Sequence, residues 1–186
     1  MKVNKNLFFI LFMVLSFSAF SCSKEKAKET SPSNNQIQQQ VNTSQSNKMK
    51  APDFTLTSTN GKKINLSDYK GKIVILDFWA TWCGPCRRGV PDLVDIQKEF
   101  KNKVVVIGIS LDDQRTMNDI PSFMKQYGIN YTIVYGTNKV IMDYGNIQAI
   151  PTSFVIDKNG YIVDQNIGLV PKSKFVNKIN SLIKES

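Results

Sequence analysis

Cys83 and Cys86 stand three residues apart in Trp82-Cys83-Gly84-Pro85-Cys86. If a helix opens near Gly84, this spacing puts both sulfurs on one face and within disulfide range. Pro85 falls in the first turn, where its missing N–H costs nothing and its fixed φ favours helix initiation. Cys83 is then left at the helix N-terminus, where free backbone N–H groups and the helix dipole favour the thiolate over the thiol. The chemistry is thiol–disulfide exchange, with Cys83 attacking and Cys86, one turn further in, resolving. Asp77 adds a proton acceptor. In an extended segment Ile73, Ile75, Asp77 and Trp79 share a face, so the carboxylate sits among three large apolar groups. Burial without a cation raises a carboxyl pKa and lets it exchange a proton near neutrality, which release of Cys86 as a thiolate requires. The competing arrangement is a solvated Asp77 at the wet end of the strand.

The elements that must position these residues follow from the apolar patterning. Ile73 to Phe78 is apolar on both faces apart from Asp77, the pattern of a central strand covered by helices on both sides. Ala51 to Leu56 and Lys63 to Leu66, separated by the Asn60-Gly61 turn, read as a small hairpin that opens the domain. After the cysteines, Val90, Leu93, Val94, Gln97 and Phe100 trace one helical face, with Pro91 bending the helix. Lys103 to Ile109 is a second buried strand, parallel to the first because a helical crossover joins them. Thr116 to Tyr127 reads as a helix with Ile120, Phe123, Met124 and Tyr127 on one side, Tyr131 to Val134 as a short strand, and Asn138 to Tyr144 as a short helix. Thr152 to Ile156 and Tyr161 to Gln165 form a second hairpin. Lys172 to Lys184 closes the chain as a helix with Phe175, Val176, Ile179 and Ile183 facing inward.

Asp77-Phe78-Trp79-Ala80 followed by Trp82-Cys83-Gly84-Pro85-Cys86 resembles the active-site segment of the thioredoxin superfamily. The resemblance implies a thioredoxin-like α/β fold, a central mixed sheet flanked by helices. It assigns Cys83 as attacking thiol, Cys86 as resolving thiol and Asp77 as buried acid/base, with Trp82, Gly84, Pro85, Ile150 and Pro151 forming the substrate-binding rim. Pro91 lies where thioredoxins carry a kinking proline, and Ile150-Pro151-Thr152 is similar to their cis-proline loop. A cis bond there exposes backbone beside Cys83 for an extended peptide; a trans proline opening a strand is the competing reading. Gly168 resembles the glycine that permits close substrate approach, although a turn glycine explains it nearly as well. The added N-terminal hairpin is similar to extracytoplasmic thioredoxins and peroxiredoxins, and Asp112 to Ile147 resembles the central helical insertion of membrane-tethered thiol reductases.

The first 21 residues read as a secretory signal, with Lys2 and Lys5 ahead of an apolar core from Leu7 to Leu15 and small residues before Cys22. Ala19-Phe20-Ser21-Cys22 resembles a bacterial lipobox, which implies a lipidated Cys22. The chain has three cysteines, so Cys22 is the odd one once Cys83 and Cys86 pair. A disulfide from Cys22 to a second chain and an uncleaved anchor are the alternatives. Residues 22 to 48 form a polar tether with almost no apolar side chain, spanning roughly 25–30 Å as a flexible coil. Residues 49 to 186 are the thioredoxin-like domain. The expected location is the bacterial cell envelope, exported and membrane-anchored.

From residue 51 onward 17 Lys and Arg face 13 Asp and Glu, so the domain carries +4 of the chain's +9. The basic excess is spread along the chain with no aromatic-interleaved stripe, which argues against a nucleic-acid partner. Two cysteines and no histidine supply half a zinc site at best, so no metal is expected. The redox-active disulfide takes the place of a cofactor. The expected partners are disulfide-containing proteins and, in an oxidising compartment, a membrane electron donor that recharges the dithiol; the chain is expected to be a monomer. Two more specialised roles match the sequence less well. Relatives dedicated to cytochrome c maturation often carry a bulkier residue at position 84 and Glu at 89, where this chain has Gly84 and Gly89. A thiol peroxidase, prompted by Ala51-Pro52-Asp53-Phe54, wants Thr three residues before the attacking cysteine, where Ala80 stands.

Overall fold

The computed structural model describes residues 48–185. The expected signal, Cys22 and all of the tether except Lys48 lie outside them. The chain alternates strand and helix because its apolar residues switch between continuous runs and helical spacing. Strand β3 (Ile73–Trp79) is buried at every residue. Helix α1 (Gly84–Glu99) follows, and the crossover returns the chain to β4 (Val104–Ser110), parallel to β3 in the register Ile73↔Val104 through Trp79↔Ser110. Antiparallel β6 (Thr152–Ile156) flanks β3 on its other side and pairs with β7 (Ile162–Ile167). With β5 (Thr132–Tyr135) on the far edge, the order is β5-β4-β3-β6-β7. β1 (Thr55–Thr57) and β2 (Lys63–Asn65) form a separate two-stranded hairpin.

The alternation along β3 feeds two cores. Ile73, Ile75 and Trp79 pack with Val90, Leu93 and Ile96 of α1 and with Phe175, Ile179 and Leu182 of α4 (Lys172–Lys184). Val74, Leu76 and Phe78 face the other layer, with Leu56, Leu66, Val140 and Tyr144. There Phe78, Tyr144 and Phe154 form an aromatic cluster with centroids 5.2–5.9 Å apart. Both faces of the sheet are therefore dry, as the unbroken apolar run of β3 requires.

The structure corrects several expected boundaries. The opening strand begins at Thr55; Asp53 instead accepts hydrogen bonds from the N–H groups of Phe54 and Ser67 at 2.9 and 3.1 Å, which turns the chain before the strand. The helix expected over Thr116–Tyr127 is a short 3-10 turn (Met117–Asp119) followed by α2 (Ile120–Tyr127), because Pro121 belongs in a first turn. Gly128, at φ +61°, closes α2 in the left-handed conformation. The segment read as a helical insertion contributes α2, α3 (Asn138–Asp143) and also the sheet's edge strand β5. On the helical faces, Ile96 and Leu182 are buried although the pattern singled out neither, while Ile183 is only half-buried.

Gly108 pairs with Asp77 across β3 and β4, and a larger side chain there would force its neighbours to shift. A Cβ at this position would stand 2.5 Å from Ile133 Cδ1 and 2.9 Å from Trp79 Nε1. Gly108→Ala should therefore lower unfolding stability by about 1–3 kcal/mol and perturb the near-UV signal of Trp79, which packs on Phe123 at 5.0 Å. A denaturation midpoint equal to the parent's would show that this layer repacks freely.

Candidate active site

Helix α1 starts where the sequence places it. Cys83 is its N-cap, in an extended conformation, and its sulfur accepts the Cys86 N–H at 3.2 Å. Pro85 lies in the first turn. A free N–H of the first turn thus points at Cys83 Sγ, the arrangement that stabilises a thiolate there. The pair is disulfide-bonded, with Cα atoms 5.2 Å apart. Cys86 is buried beneath it, whereas Trp82, Gly84 and Pro85 are exposed around the rim, Trp82 to 60%.

Across the rim runs the Ile150–Pro151 loop. Its peptide bond is cis, and the Ile150 carbonyl oxygen lies 3.7 Å from Cys83 Sγ. Gly168, at φ +88°, donates its N–H to the Pro151 carbonyl at 2.7 Å, and Thr152 Oγ1 donates to the Ala149 carbonyl at 2.7 Å. These bonds hold the loop against the end of β7. Of the five expected rim residues, Trp82, Gly84 and Pro85 flank Cys83 in the chain and are exposed, while Ile150 approaches its sulfur from the loop and Pro151 is buried behind it.

Asp77 lies under the disulfide, 7% exposed, on the face that carries Ile73, Ile75 and Trp79. Ser153 is its partner on β6. Burial, with no cation alongside, pushes its carboxyl up to about 7. The wet-end alternative is thereby ruled out. A cavity of about 20 Å³ touches Asp77, Cys86, Pro151, Ser153 and Gly168, room for one water. Asp77 also raises the Tyr131 hydroxyl, although desolvation is the larger cause. Among the described residues no cluster of three or more His, Cys, Asp or Glu is placed to hold a metal ion.

One part of the site escapes a reading by motif. Asp112, at the carboxyl end of β4, accepts the Thr81 N–H at 3.0 Å, the Thr81 hydroxyl at 2.5 Å and the Ser110 hydroxyl at 2.8 Å. The Leu111 N–H donates to the Trp79 carbonyl at 2.7 Å. Together they clamp the turn that carries Cys83. Its position just beyond a parallel strand's carboxyl end, where α/β sheets gather their functional groups, is the signal that would have found it. Arg87 is likewise held by α2, its Nε donating to Tyr127 Oη at 3.0 Å.

The raised Asp77 pKa is a statement about stability. Between the ordinary value of 3.8 and about 7 the folded chain keeps a proton that the unfolded chain gives up, so stability falls as pH rises through that window. Asp77→Asn carries no such cost. The oxidised variant should gain up to about 4 kcal/mol over the parent at pH 8 and nothing below pH ~4. Urea unfolding at the two pH values checks this; a gain independent of pH would contradict it.

Residues 48–165 match the family model described as the AhpC/TSA family. The thiol-disulfide oxidoreductase ResA of Bacillus subtilis (strain 168) is 37% identical over 135 residues, covering 72% of this chain and 74% of that protein. Among solved structures, a thiol:disulfide interchange protein of the thioredoxin family from Chlorobium tepidum TLS superposes with a TM-score of 0.67 at 33% identity, covering 73% of this chain and 96% of that one. The pneumococcal exposed lipoprotein thioredoxin Etrx1 from Streptococcus pneumoniae strain TIGR4 does so at 0.62 and 31%, covering 70% and 99%. A dithiol at a helix start, a buried carboxyl behind it and these relatives agree: the chain belongs to the AhpC/TSA family of thioredoxin-like proteins and is a thiol-disulfide oxidoreductase.

Proposed function

We propose that this oxidoreductase works outside the cytoplasm, tethered to the membrane through Cys22, and reduces disulfides in other proteins. The observation that carries the mechanism is the placement of Asp77 and Cys86 on one small cavity behind a Cys83 sulfur that faces the Ile150–Pro151 edge. A substrate strand lies along that edge and brings its disulfide to Cys83. The Cys83 thiolate attacks one substrate sulfur; a mixed disulfide forms and the other substrate sulfur leaves as a thiolate. Asp77 takes the Cys86 proton, and the Cys86 thiolate attacks Cys83 Sγ. The mixed disulfide breaks, the second substrate thiolate departs, and the Cys83–Cys86 disulfide closes with two electrons passed to the substrate. A dithiol donor in the membrane recharges the pair: one donor thiolate opens the Cys83–Cys86 disulfide at Cys83, and the second attacks the donor sulfur of that mixed disulfide, which frees Cys83 and leaves the donor as the disulfide. No other cofactor takes part, and the chain acts as a monomer.

The exported, lipid-anchored setting is supported by the apolar leader ending at Cys22 and by the likeness to an exposed lipoprotein thioredoxin. Among the described residues no helix is long and apolar enough to cross a membrane. Reduction rather than oxidation is supported by the Gly84-Pro85 pair and by Ile150 before the proline, both similar to reducing thioredoxins. Within that class Gly84 and Gly89 favour a general reductase over one dedicated to apocytochrome c. A second reading, a thiol peroxidase, draws on the Ala51–Phe54 opening inside the AhpC/TSA match. Ala80 weakens it, and peroxide consumption by the reduced chain would revive it.

Two experiments test the mechanism. Cys86→Ser should accumulate covalent mixed disulfides with envelope proteins on Cys83 and Cys83→Ser none; adducts on both variants, or on neither, would refute the assigned order of attack. Asp77→Asn should slow insulin-disulfide reduction at pH 7 by at least about tenfold while leaving the fold intact. A pH–rate profile unchanged between pH 6 and 8 would remove Asp77 from the proton transfer.

A further inference from the structure

Lysines dispersed through the sequence converge on one pole of the folded domain. Lys48 and Lys50, Lys70 and Lys72, and Lys101 and Lys103 are Lys-X-Lys pairs in three separate segments. Backbone hydrogen bonds draw these segments together with the β6–β7 turn. The Gly71 N–H donates to the Lys158 carbonyl at 3.0 Å, Ile73 to Lys103 at 3.0 Å, Ala51 to Gly160 at 2.9 Å and Ile162 to Met49 at 2.8 Å. The stretches 48–51, 70–72, 101–103 and 157–161 hold seven lysines and a single carboxylate, Asp157.

That carboxylate is already committed. Asp157 Oδ1 accepts the N–H groups of Asn159 and Tyr161 at 2.9 Å, and Oδ2 lies 3.9 Å from Lys48 Nζ. Of the carboxylates bordering the pole, Asp53 is turned to the Phe54 and Ser67 N–H groups, Asp68 accepts the Asn65 N–H at 3.2 Å, Glu99 lies 3.4 Å from Lys172 Nζ, and Glu185, on a cavity shared with Lys48, Met49 and Lys178, accepts the Ser181 hydroxyl at 3.4 Å. Six of the seven lysines are exposed, all but the half-buried Lys158. Two apolar side chains stand out among them, Met49 at 62% and Tyr161 at 37% exposure. Between Lys50, Lys70 and Lys72 a cavity of about 140 Å³ opens over Ala51, Leu66, Val74 and Ile156.

We propose that this pole docks on an anionic lipid surface and holds the domain with its redox edge away from the membrane. The inference rests on the tether proposed above. The chain enters the described domain at Lys48, inside the lysine cluster, so a lipid on Cys22 about 25 residues upstream delivers this pole to the headgroups first. The cysteine pair lies beyond the far end of β3, roughly 20 Å away at the rise of a strand. Lysines meet lipid phosphates, and Met49 and Tyr161 suit the headgroup boundary, where a soluble polyanion would leave them in water. Each lysine near an anionic leaflet strengthens association about fivefold, and the effect fades within a Debye length of about 8 Å at physiological salt. The contact is therefore close and sensitive to salt.

The test uses the full lipidated chain reconstituted in vesicles of phosphatidylcholine alone or with phosphatidylglycerol, footprinted with a membrane-impermeant amine-acylating reagent and read by mass spectrometry. With phosphatidylglycerol, acylation of Lys50, Lys70, Lys72 and Lys103 should fall about fivefold relative to Lys125 and Lys139, and recover in high salt. Phosphatidylcholine should give no such protection. The variant Lys70→Glu/Lys72→Glu/Lys101→Glu/Lys103→Glu should lose protection at Lys50 while reducing insulin at the parent rate, which shows that it has folded. Equal acylation on both lipids overturns the proposal, as does protection by soluble RNA but not by phosphatidylglycerol. Failure of the tether reads differently, as chain released from phosphatidylcholine vesicles by washing.

Discussion

The junction of β3 with α1 is the constraint on which the site depends. The strand is buried along its whole length, so no polar backbone can turn until it clears the sheet. The helix then begins at Gly84, and Cys83 is the residue left at the joint. Asp112 ties down the Thr81 backbone and hydroxyl, and Leu111 pins the Trp79 carbonyl, so the joint has little freedom. The Cys83 sulfur stands at the start of the helix, surroundings that favour a thiolate, and that placement is a property of packing as much as of the cysteine itself.

Behind the joint the fold accepts a local cost. A carboxyl buried beside Gly108 and Ser153 with no cation is unfavourable once ionised, and an apolar residue would serve the core better. The same burial brings its proton affinity close to neutrality, where a group that must take and return a proton is most useful. Stability is given up at one position of the central strand, and the apolar packing of both cores around it keeps the strand in place.

Much of this was legible because it is local. The three-residue cysteine spacing, Pro85 in a first turn and the alternation around Asp77 each fix a short-range geometry, and α4 begins and ends at the expected residues, Lys172 and Lys184. What was not legible is non-local. Asp112 reaches Thr81 across 31 residues, and no spacing rule joins them. Leu182 and Ile96 are buried by the way α4 and α1 pack together against the sheet, which shifts the covered face beyond the strict helical stripe. The lysines read as dispersed because they are dispersed along the chain; only the parallel β3–β4 pair and the β6–β7 turn bring their loops to one end.

The N-terminal segment has a consequence beyond catalysis. At one margin of the sheet Lys50 bridges to Tyr161, just before β7, and at the other Ser58 bridges to Val134 on the outermost strand β5, with the Thr59 N–H donating to the Ile133 carbonyl at 3.1 Å. Residues 50 to 59 thus run from one margin of the sheet to the other, occupying backbone groups that a stranger's strand could otherwise join. The strap therefore shortens the open stretch on each outermost strand, and with it the length of edge on which two copies of the sheet could join.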